Sequence, residues 1–347
     1  MKIAIHKRKN SFSDRWIEYC EKFKIEYKII DCYSNDIISN LSDCDGLMWH
    51  WHQGDEKAIL FAKELVKSLE LSGKLVFPSS NASFHFDDKI SQKYLFESLK
   101  IAHTKTNIFY EKKDAYKFLN RVSFPIVHKL RNGAGGSNVE LIRSKRSAIK
   151  KVKKAFSKGF RPINRVGILR DNFNQMFRNV SFESTINFAK SVFFLFKKES
   201  AEKIRATERG YIYFQEFISK NNYDTRVIVI GNRCFGLRRE NRKNDFRASG
   251  SGILKHNPNL IDKRCLKQSF KHSKVLKNEC VAFDFIFDEY NNPLVIEISY
   301  GFSPGTAYDN CPGYWEEDLN WIEGKFKPEY FMIEDFINKI KKFNKYV

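Results

Sequence analysis

Residues 281–299 read VAFDFIFDEYNNPLVIEIS, in which two apolar runs flank a short segment of turn residues. This pattern predicts two antiparallel strands joined by a tight hairpin. Asp284 lies within the first run and Glu297 near the end of the second, so both carboxylates can point from one face of the sheet. Two buried carboxylates repel each other unless a cation lies between them, and Mg²⁺ often takes one or two carboxylates together with phosphates. The stretch therefore predicts an antiparallel sheet with a candidate magnesium site.

Residues 1–80 alternate short apolar strands with amphipathic helices. We expect helices at SDRWIEYCEKF and at EKAILFAKELVKSLELSGK, the second ending at Gly73. We expect strands at KIAIHK, EYKIIDC, CDGLMWHWH and LVFPSS. This alternation predicts a small parallel sheet whose ligand-facing loops lie at the carboxyl ends of its strands.

The remainder of the chain reads mainly as strands with a few helices. A helix is expected in DDKISQKYLFESLKI, capped by Asp87 or Asp88, and another over Lys263 to Lys277. Strands are expected at FPIVHKL, YIYFQEFI, DTRVIVIG and CFGLRRE. The fold class is therefore α/β (α+β), with an N-terminal α/β domain over 1–86, a linker helix and glycine-loop subdomain over 87–210, and an antiparallel-sheet subdomain over 211–347.

The net charge of +20, from 61 Lys and Arg against 41 Asp and Glu, favours an anionic partner. A nucleic acid, an acidic glycan, a polyphosphate and a membrane surface all meet that requirement. Residues 141–205 concentrate the excess, with 17 Lys and Arg against 4 Asp and Glu. This basic insertion reads as a surface for anionic lipid, as a groove for an acidic polymer, or as a solvated helical insertion.

The seven cysteines form no CxxC pair and are not spaced with histidine as a zinc site requires. They read as reduced thiols of a cytoplasmic protein. The N-terminal segment MKIAIHKRKN lacks the apolar centre of a signal peptide, and no run is long enough to span a bilayer.

The segment FPIVHKLRNGAGGSNVELI reads as a strand, a glycine-rich loop and a second strand. Glycine lets backbone N–H groups approach phosphate oxygens closely, and Lys129 on the first strand supplies a positive charge. The loop lacks the GK[ST] ending of a P-loop, and no helix is expected after it. A plain hairpin turn is the alternative interpretation. The candidate phosphate-binding residues in the loop are Gly133, Gly135, Gly136 and Ser137.

Two further stretches carry polar residues in places suited to a nucleotide. The end of YIYFQEFI offers backbone groups to an adenine edge, and Asp224 downstream is placed to accept ribose hydroxyls, although an edge strand with solvated acids explains the same residues. RRENRKNDFRASGSG gathers arginines around a small-residue loop, where guanidinium groups bind phosphate oxygens; a solvated basic loop is the alternative.

In this order, these motifs resemble those of the ATP-grasp superfamily, and in particular its ribosomal-protein glutamate ligase branch. The resemblance runs from about Asp87 to Gly305 and implies the ATP-grasp fold, with a glycine-loop lid subdomain and a C-terminal metal-binding subdomain. DTRVIVIG is similar to the DxRVxVxG pattern of the branch, and LRREN with DFRASGSG is similar to its arginine pair followed by a DFR loop.

The resemblance implies ATP and Mg²⁺ as cofactors and assigns roles residue by residue. It implies that Lys89, Lys129 and the glycine loop bind the nucleotide phosphates, that the backbone of Gln215, Glu216, Phe217 and Ile218 binds adenine, and that Asp224 binds ribose. It implies metal binding by Asp284 and Glu297, and catalytic roles for Arg226, Arg239 and Arg247. The family usually ends this region with E-x-N, whereas EIS places Ser299 where asparagine is expected, so we expect weaker binding of a second metal.

The family's reaction joins a carboxylate to an amine through an acyl phosphate. The stretches EISYGF and FRASGSG resemble those of uncharacterised ATP-grasp proteins of surface-polysaccharide gene clusters. We therefore expect an amino acid or amine as one substrate and a uronic acid of an acidic or lipid-linked glycan as the other, with peripheral membrane contact. A peptide or protein-tail ligase, and a non-catalytic protein binding nucleotides or polyanions, are the alternatives. Nucleic acid is not the expected partner.

Residues for the second substrate are expected at two places in the chain. WHWHQGD follows a predicted strand of the N-terminal domain, where His50 and His52 share a face if the strand continues. Metal binding there lacks a third ligand, structural aromatics are the plainest interpretation, and stacking of a sugar on tryptophan is the functional one. Tyr300, next to the expected metal ligands, and Ser249, in the FRASGSG loop, complete the set.

Overall fold

The computed structural model of the chain describes all residues except 134, 137, 163–168, 170–172, 174, 175, 177–181, 197–203, 205, 243, 244, 344, 346 and 347. By its internal contacts the chain divides into two compact units. Unit 1 comprises Met1–Phe86, Tyr94–His103 and Lys220–Val347, and unit 2 comprises Asp87–Lys93 and Thr104–Ser219.

The N-terminal part of unit 1 is the predicted parallel sheet, with strand order β2-β1-β3-β4. Its strands are β1 (Lys2–His6), β2 (Glu26–Ile30), β3 (Gly46–Met48) and β4 (Leu75–Phe77). Its helices are α1 (Phe12–Phe23), α2 (Ile37–Asn40), α3 (Ala58–Leu71) and α4 (Ser80–Ser83). β3 ends at Met48, so the expectation that a strand continues through WHWH is wrong, and the two histidines lie in the loop after β3.

Unit 2 contains an antiparallel sheet with the order β5-β8-β6-β7. Its strands are β5 (Thr106–Phe109), β6 (Ile126–Lys129), β7 (Val139–Ile142) and β8 (Ile212–Glu216). The helices of this part of the chain are α5 (Lys89–Ser98), α6 (Lys112–Leu119), α7 (Lys145–Ala155) and α8 (Phe182–Phe196). Apolar residues of α6 and α7 share one core cluster with residues of β6 and β8.

The C-terminal part of unit 1 is an antiparallel sheet with the order β13-β12-β9-β10-β14-β15, and β11 pairs with β10 beside this path. Its strands are β9 (Tyr223–Ile230), β10 (Arg233–Glu240), β11 (Leu254–Lys255), β12 (Cys280–Phe287), β13 (Pro293–Ser299), β14 (Gly313–Glu316) and β15 (Trp321–Glu323). Its helices are α9 (Lys263–Leu276), α10 (Thr306–Asp309) and α11 (Pro328–Phe343).

The predicted hairpin of residues 281–299 is confirmed as the pair β12 and β13, and Asp284 lies directly opposite Glu297. The register shifts between Asp284 and Phe285, which is the mark of a β-bulge beside the acid. Asn291 in the connecting turn has φ of 61°, a left-handed conformation that asparagine tolerates better than most residues.

The predicted domain limits differ from the two units in two respects. Residues 1–86 and the C-terminal sheet belong to one unit because they share a core, which includes Ile3 and Trp16 from the N-terminal part and Ile230 and Ile333 from the C-terminal part. β8, assigned above to the C-terminal subdomain, lies in unit 2 because it pairs with β5 and β6.

All seven cysteines are buried and free of disulfides, in line with reduced thiols. Among the helices of the described residues, none combines the length and the apolar character needed to cross a bilayer.

Candidate functional site

Four charged side chains form a compact cluster on one face of the C-terminal sheet. Asp224 and Arg226 are two residues apart on β9 and so point to the same side, with Arg239 of β10 opposite Asp224 and Asp284 of β12 opposite Arg226. Arg226 donates from Nε and Nη2 to the two oxygens of Asp284 at 2.6 and 2.7 Å. Arg239 binds Asp224 in the same two-point manner at 2.6 Å and also reaches Asp284 at 2.7 Å.

The cluster is buried. Burial raises the pKa values of its two acids, whereas pairing with arginine lowers them. Burial raises the pKa of Asp284, but Arg226 and then Arg239 outweigh it and hold that pKa well below its usual range. For Asp224, burial dominates and raises the pKa, while Arg239 opposes the shift. Arg226 also donates to the Tyr308 hydroxyl at 3.3 Å, so its guanidinium is fixed from two sides. The cluster is a preorganised set of charges rather than a group of solvated side chains.

The residue expected to bind ribose is buried against an arginine. Asp224 is only 3% exposed, and both of its carboxylate oxygens accept hydrogen bonds from Arg239. Each oxygen has a further lone pair, so binding of a ribose hydroxyl stays a prediction. Asp224 also positions Arg239, whose Nε and Nη2 are engaged and whose Nη1 has no hydrogen-bond partner among the described residues.

The residues expected to bind Mg²⁺ lie together on β12 and β13. Asp284 and Glu297 are opposite each other as predicted, but guanidinium groups already neutralise the Asp284 carboxylate. The Ser299 hydroxyl donates to the Gly301 carbonyl at 2.6 Å and accepts from the Gly301 N–H at 3.1 Å. Within the described residues, no group of three or more His, Cys, Asp and Glu side chains is arranged to hold a metal ion. In the structure Asp284 forms ion pairs with Arg226 and Arg239, and metal binding by Asp284, Glu297 and Ser299 stays a prediction.

The third expected catalytic arginine lies in the loop between β10 and β11. Arg247 forms a two-point ion pair with Asp245 two residues earlier, with Nη2 to Oδ2 at 2.7 Å. Ser249 is half-buried in the turn that follows, and its contact with a substrate stays a prediction. The local pair fixes the guanidinium of Arg247 within its own loop.

In unit 2, the glycine loop connects β6 to β7 and is tied to the N-terminus of α5. Gly133, Gly135 and Gly136 all have positive φ, between 64 and 129°, which explains the requirement for glycine. The Gly133 N–H donates to the Asp87 carboxylate at 2.8 Å. Asp88, one of the two predicted caps of α5, accepts from the N–H groups of Ile90 and Ser91 and pairs with Arg131 at 2.5 Å. No helix follows the loop, as expected, because β7 begins at Val139.

Two lysines expected to bind phosphates lie beside this loop. Lys89 begins α5, is 5% exposed, and donates from Nζ to the Gly133 carbonyl at 2.7 Å. Lys129 is the last residue of β6 and is 8% exposed. β6 and β7 pair on either side of this loop, and the binding of phosphates by the two lysines stays a prediction. Ser137 lies outside the described residues, so its role stays a prediction.

The residues expected to bind adenine lie at the end of β8 and just beyond it. The Gln215 side chain is buried and donates to the Thr106 hydroxyl at 3.0 Å, so it supports the sheet from inside. Glu216 is exposed, and its N–H donates to the Lys105 carbonyl at 2.9 Å. Phe217 and Ile218 follow the strand and are half-buried. Binding of adenine by this backbone stays a prediction.

A cavity of about 510 Å³ opens within unit 1. It is lined by residues between Arg8 and Arg15, by His50 and His52, and by Phe302–Gly305. The first two groups follow the carboxyl ends of β1 and β3, which is where sheets of this kind bind ligands. Of the expected substrate residues, His50 and His52 are therefore brought together at one cavity even though the strand does not reach them.

Tyr300 and the two tryptophans do not line this cavity. Tyr300 is fully buried, and its hydroxyl donates to the Trp51 carbonyl. Trp49 and Trp51 are at most 2% exposed and belong to a core cluster. The expected substrate contact of Tyr300, and the stacking of a sugar on these tryptophans, are therefore corrected: the three side chains support the loop that carries His50.

Sequence reasoning missed Arg8 and Arg15, which line the same cavity. Arg15 joins α1 to the C-terminal helices through Asp309 at 2.5 Å and Glu329 at 2.9 Å. Arg8 could have been found, because it follows β1 at the end of the sheet where ligands bind. The partners of Arg15 are about 300 positions away in the sequence, and no local pattern marks them.

Part of the chain matches a known protein family. Residues 183–308 match the family model described as the RimK-like ATP-grasp domain. The comparison with curated protein sequences gave no match. The match includes the strands that carry the charged cluster and the hairpin of Asp284 and Glu297.

Solved structures of the same fold cover most or all of the chain. D-alanine–D-alanine ligase from Bacillus anthracis complexed with ATP has a TM-score of 0.57 at 14% identity and covers 99% of this chain and 98% of its own. The ATP-grasp ligase PsnB, complexed with minimal precursor, Mg and ADP, has a TM-score of 0.52 at 12% identity, with 98% of each chain covered. The RimK domain protein ATP-grasp from Sphaerobacter thermophilus DSM 20745 has a TM-score of 0.51 at 13% identity and covers 86% of this chain and 90% of its own. Residues 183–308 thus match the RimK-like ATP-grasp domain, and the solved structures show that the chain has the ATP-grasp fold.

Proposed function

We propose that the protein is an ATP-dependent carboxylate–amine ligase that forms an amide through an acyl phosphate. The observation that carries the proposal is the glycine loop of unit 2, with three positive-φ glycines and the buried lysines Lys89 and Lys129 beside it. Backbone N–H groups and lysine ammonium groups are suited to nucleotide phosphates. Similar structures of the fold were solved with ATP or with Mg and ADP, which supports ATP as the nucleotide.

In the proposed reaction, a carboxylate oxygen of one substrate attacks the γ-phosphorus of ATP, and ADP leaves. The amine of the second substrate then attacks the acyl carbon, loses a proton and displaces phosphate. Negative charge develops on the transferred phosphoryl group and on the tetrahedral oxygen, and fixed guanidinium groups stabilise both. Asp284 holds Arg226 in position, and Asp224 holds Arg239. In the proposed reaction, Arg239 donates from Nη1 to the developing negative charge.

Mg²⁺ is expected with ATP, as the resemblance implies, but the mechanism assigns it no step. Asp284 is paired with two arginines, and Ser299 is bound to its own turn. We propose Glu297, half-buried on β13 and opposite Asp284, as a contact of the nucleotide or its metal. The proposed chemistry therefore depends on the arginines and lysines named above.

The substrates we propose are an amino acid or amine and the carboxylate of a uronic acid in a surface polysaccharide or its precursor. This choice depends on the resemblance of EISYGF and FRASGSG to ATP-grasp proteins of polysaccharide gene clusters. A ligase that extends a peptide or protein tail is the alternative, because the matched family is RimK-like and PsnB was solved with a precursor.

Hydroxylamine trapping tests the proposed intermediate. The protein would be incubated with ATP, Mg²⁺ and hydroxylamine, together with separate pools of uronic acids and acidic peptides. An acyl phosphate reacts with hydroxylamine to give a hydroxamate, which mass spectrometry identifies together with the acid it came from. We expect hydroxamates from uronic acids; hydroxamates only from peptides would favour the tail ligase. ADP formed with an acid but without any hydroxamate would contradict the acyl phosphate.

Helix α7 favours an anionic surface as an additional partner. Helix α7 buries Ala148, Val152 and Ala155 and contains only basic residues among its charged side chains. Several of these are exposed, including Lys145, Lys150 and Lys153. We propose that α7 holds the enzyme at an anionic membrane surface, where a lipid-linked glycan precursor would be available.

A further inference from the structure

The cavity of unit 1 has the position of a ligand site in a parallel sheet. In the order β2-β1-β3-β4, the chain leaves β1 toward β2 on one side, while β3 lies on its other side. The crevice beyond the carboxyl ends of β1 and β3 is therefore the topological switch point, where folds of this kind bind ligands. The cavity lies there, with Arg8 after β1 and His50 after β3.

The ring of His50 offers a hydrogen-bond donor at this cavity. Its ring stacks on Phe12 with 3.7 Å between ring centroids, and its Nδ1 accepts the Phe12 N–H at 3.0 Å. In a neutral imidazole the proton then lies on Nε2. His50 is 2% exposed, and its Nε2 is buried without a partner among the described residues.

Burial, followed by the charge of Arg8, lowers the pKa of His50 well below its usual value. The ring is therefore neutral near pH 7, and Nε2–H acts as a donor rather than as an acid. A buried donor without a partner costs free energy that a bound acceptor would recover.

Arg8 offers an unpaired positive charge at the same cavity. Its guanidinium makes no ion pair within the described residues, and its Nε is buried without a hydrogen bond. The neighbouring cation, Arg15, is neutralised by Asp309 and Glu329. Asp14 on the rim is exposed and accepts the Asn10 N–H at 2.8 Å. The Arg8 guanidinium and the His50 Nε2–H are thus donors that the described residues leave without a partner at this cavity. Both groups favour an oxygen anion.

We propose that this cavity binds the carboxylate of a small substrate, with Arg8 as its ion-pair partner and His50 Nε2–H as a further donor. This inference rests on the proposed function only in naming the ligand as a substrate of the ligase. Two sources supply the same chemistry: the α-carboxylate of an amino acid that provides the amine, and the carboxylate of a uronic acid. The exposed Asp14 suits the ammonium group that only the amino acid carries.

Binding without ATP tests the site independently of catalysis. Calorimetric titration would use L-alanine and D-glucuronate as probes, each compared with its amide, L-alaninamide and D-glucuronamide. The variants are Arg8→Gln and, as the matched control, Lys9→Gln, which removes one exposed charge next in the chain but outside the cavity lining. Thermal unfolding of both variants shows that each is folded.

We expect the wild type to bind one acid at least tenfold more tightly than its amide. Arg8→Gln should weaken the binding of that acid by roughly 10- to 100-fold. Lys9→Gln should bind like the wild type. Preference for L-alanine identifies the amine substrate, and preference for D-glucuronate identifies the acid that is activated. The proposal is wrong if neither acid binds the wild type better than its amide, or if Arg8→Gln and Lys9→Gln bind alike. If an acid binds in an Arg8-dependent manner but the protein shows no ATP turnover with any substrate pair, the carboxylate site is supported and the proposed ligase activity is wrong.

Discussion

At the scale of single residues, the central feature is a charge pattern that follows from strand periodicity. Asp224 and Arg226 share a face of β9 because they are two residues apart, and their partners lie opposite them on neighbouring strands. Each of the four side chains therefore lies next to an opposite charge, which offsets the cost of removing it from water. Loss of one member leaves its partner buried and uncompensated.

We predict that Asp224→Asn lowers the free energy of unfolding by about 3 to 5 kcal/mol, because it leaves Arg239 with too little negative charge around it. Chemical denaturation monitored by tryptophan fluorescence measures this. Glu317→Gln, the same chemical change at the exposed ion pair with Lys274, is the control and should cost less than about 1 kcal/mol. Equal small effects for the two variants would show that the cluster is solvated.

A buried histidine of unit 2 predicts a pH dependence. Burial lowers the pKa of His128 to about 4, whereas a histidine in the unfolded chain titrates near about 6.5. The unfolded chain therefore takes up a proton first as the pH falls. The contribution of the neutral ring to stability is complete above about pH 6.5 and is lost as the pH falls through about 4, by roughly 3 kcal/mol in all.

Denaturation of the wild type and of His128→Gln between pH 7 and pH 4 tests this, since glutamine keeps a donor for the Tyr213 carbonyl. The wild type should lose stability more steeply than the variant. Parallel pH profiles would mean that His128 does not titrate as described.

The residue scale also shows where sequence reasoning fails. The facing positions of Asp284 and Glu297 were predictable because a hairpin fixes its own register. The partners of Asp284 were not, because they come from β9 and β10, more than 40 residues earlier. The acid pair led to the prediction of a magnesium site, which stays a prediction, and the arginines beside Asp284 were missed.

At the scale of elements, the hairpin of β12 and β13 depends on its turn. Asp288 accepts hydrogen bonds from the N–H groups of Tyr290 and Asn292 at 2.9 and 2.7 Å, and Asn291 adopts positive φ. Turn residues in DEYNNP were enough to predict this element. β3 was predicted too long because an apolar run does not show where pairing with β4 stops.

We predict that Asn291→Val destabilises the protein by about 1 to 2 kcal/mol, since a β-branched residue resists the left-handed conformation. Asn291→Gly is the matched control, because glycine adopts the same φ without that cost. Thermal and chemical unfolding measure both. If valine and glycine behaved alike, the turn would not have the conformation described.

At the scale of the whole molecule, the fold class was predictable from the order of motifs, and the solved structures confirm it, while the family model matches residues 183–308. The sequence did not show that β8 belongs to unit 2 or that residues 1–86 share a unit with the C-terminal sheet. Strand pairing and a shared core are set by contacts distant in the sequence. The net charge of +20 indicates an anionic partner without identifying it.

We predict that the protein binds vesicles containing anionic lipid at low ionic strength and is released at high salt. Replacing Lys145, Lys150 and Lys153 of α7 by glutamine should weaken this binding, because it removes three exposed charges from the basic helix. The same replacement of Lys263, Lys267 and Lys271 on α9 removes equal charge elsewhere and serves as the control. Vesicle co-sedimentation measures the bound fraction. Equal losses for both variants would mean that net charge, not α7, determines binding.

The central claim is that the protein joins a carboxylate to an amine at the expense of ATP, and ADP release tests it most directly. The assay would contain ATP, Mg²⁺, and uronic acids, acidic peptides and amino acids, supplied singly and in acid–amine pairs. Lys129→Gln, checked for an unchanged unfolding temperature, is the control for contamination. We expect ADP release that requires one acid and one amine together and is strongly reduced in the variant. ADP release that is independent of both substrates, or unchanged in Lys129→Gln, would contradict the claim.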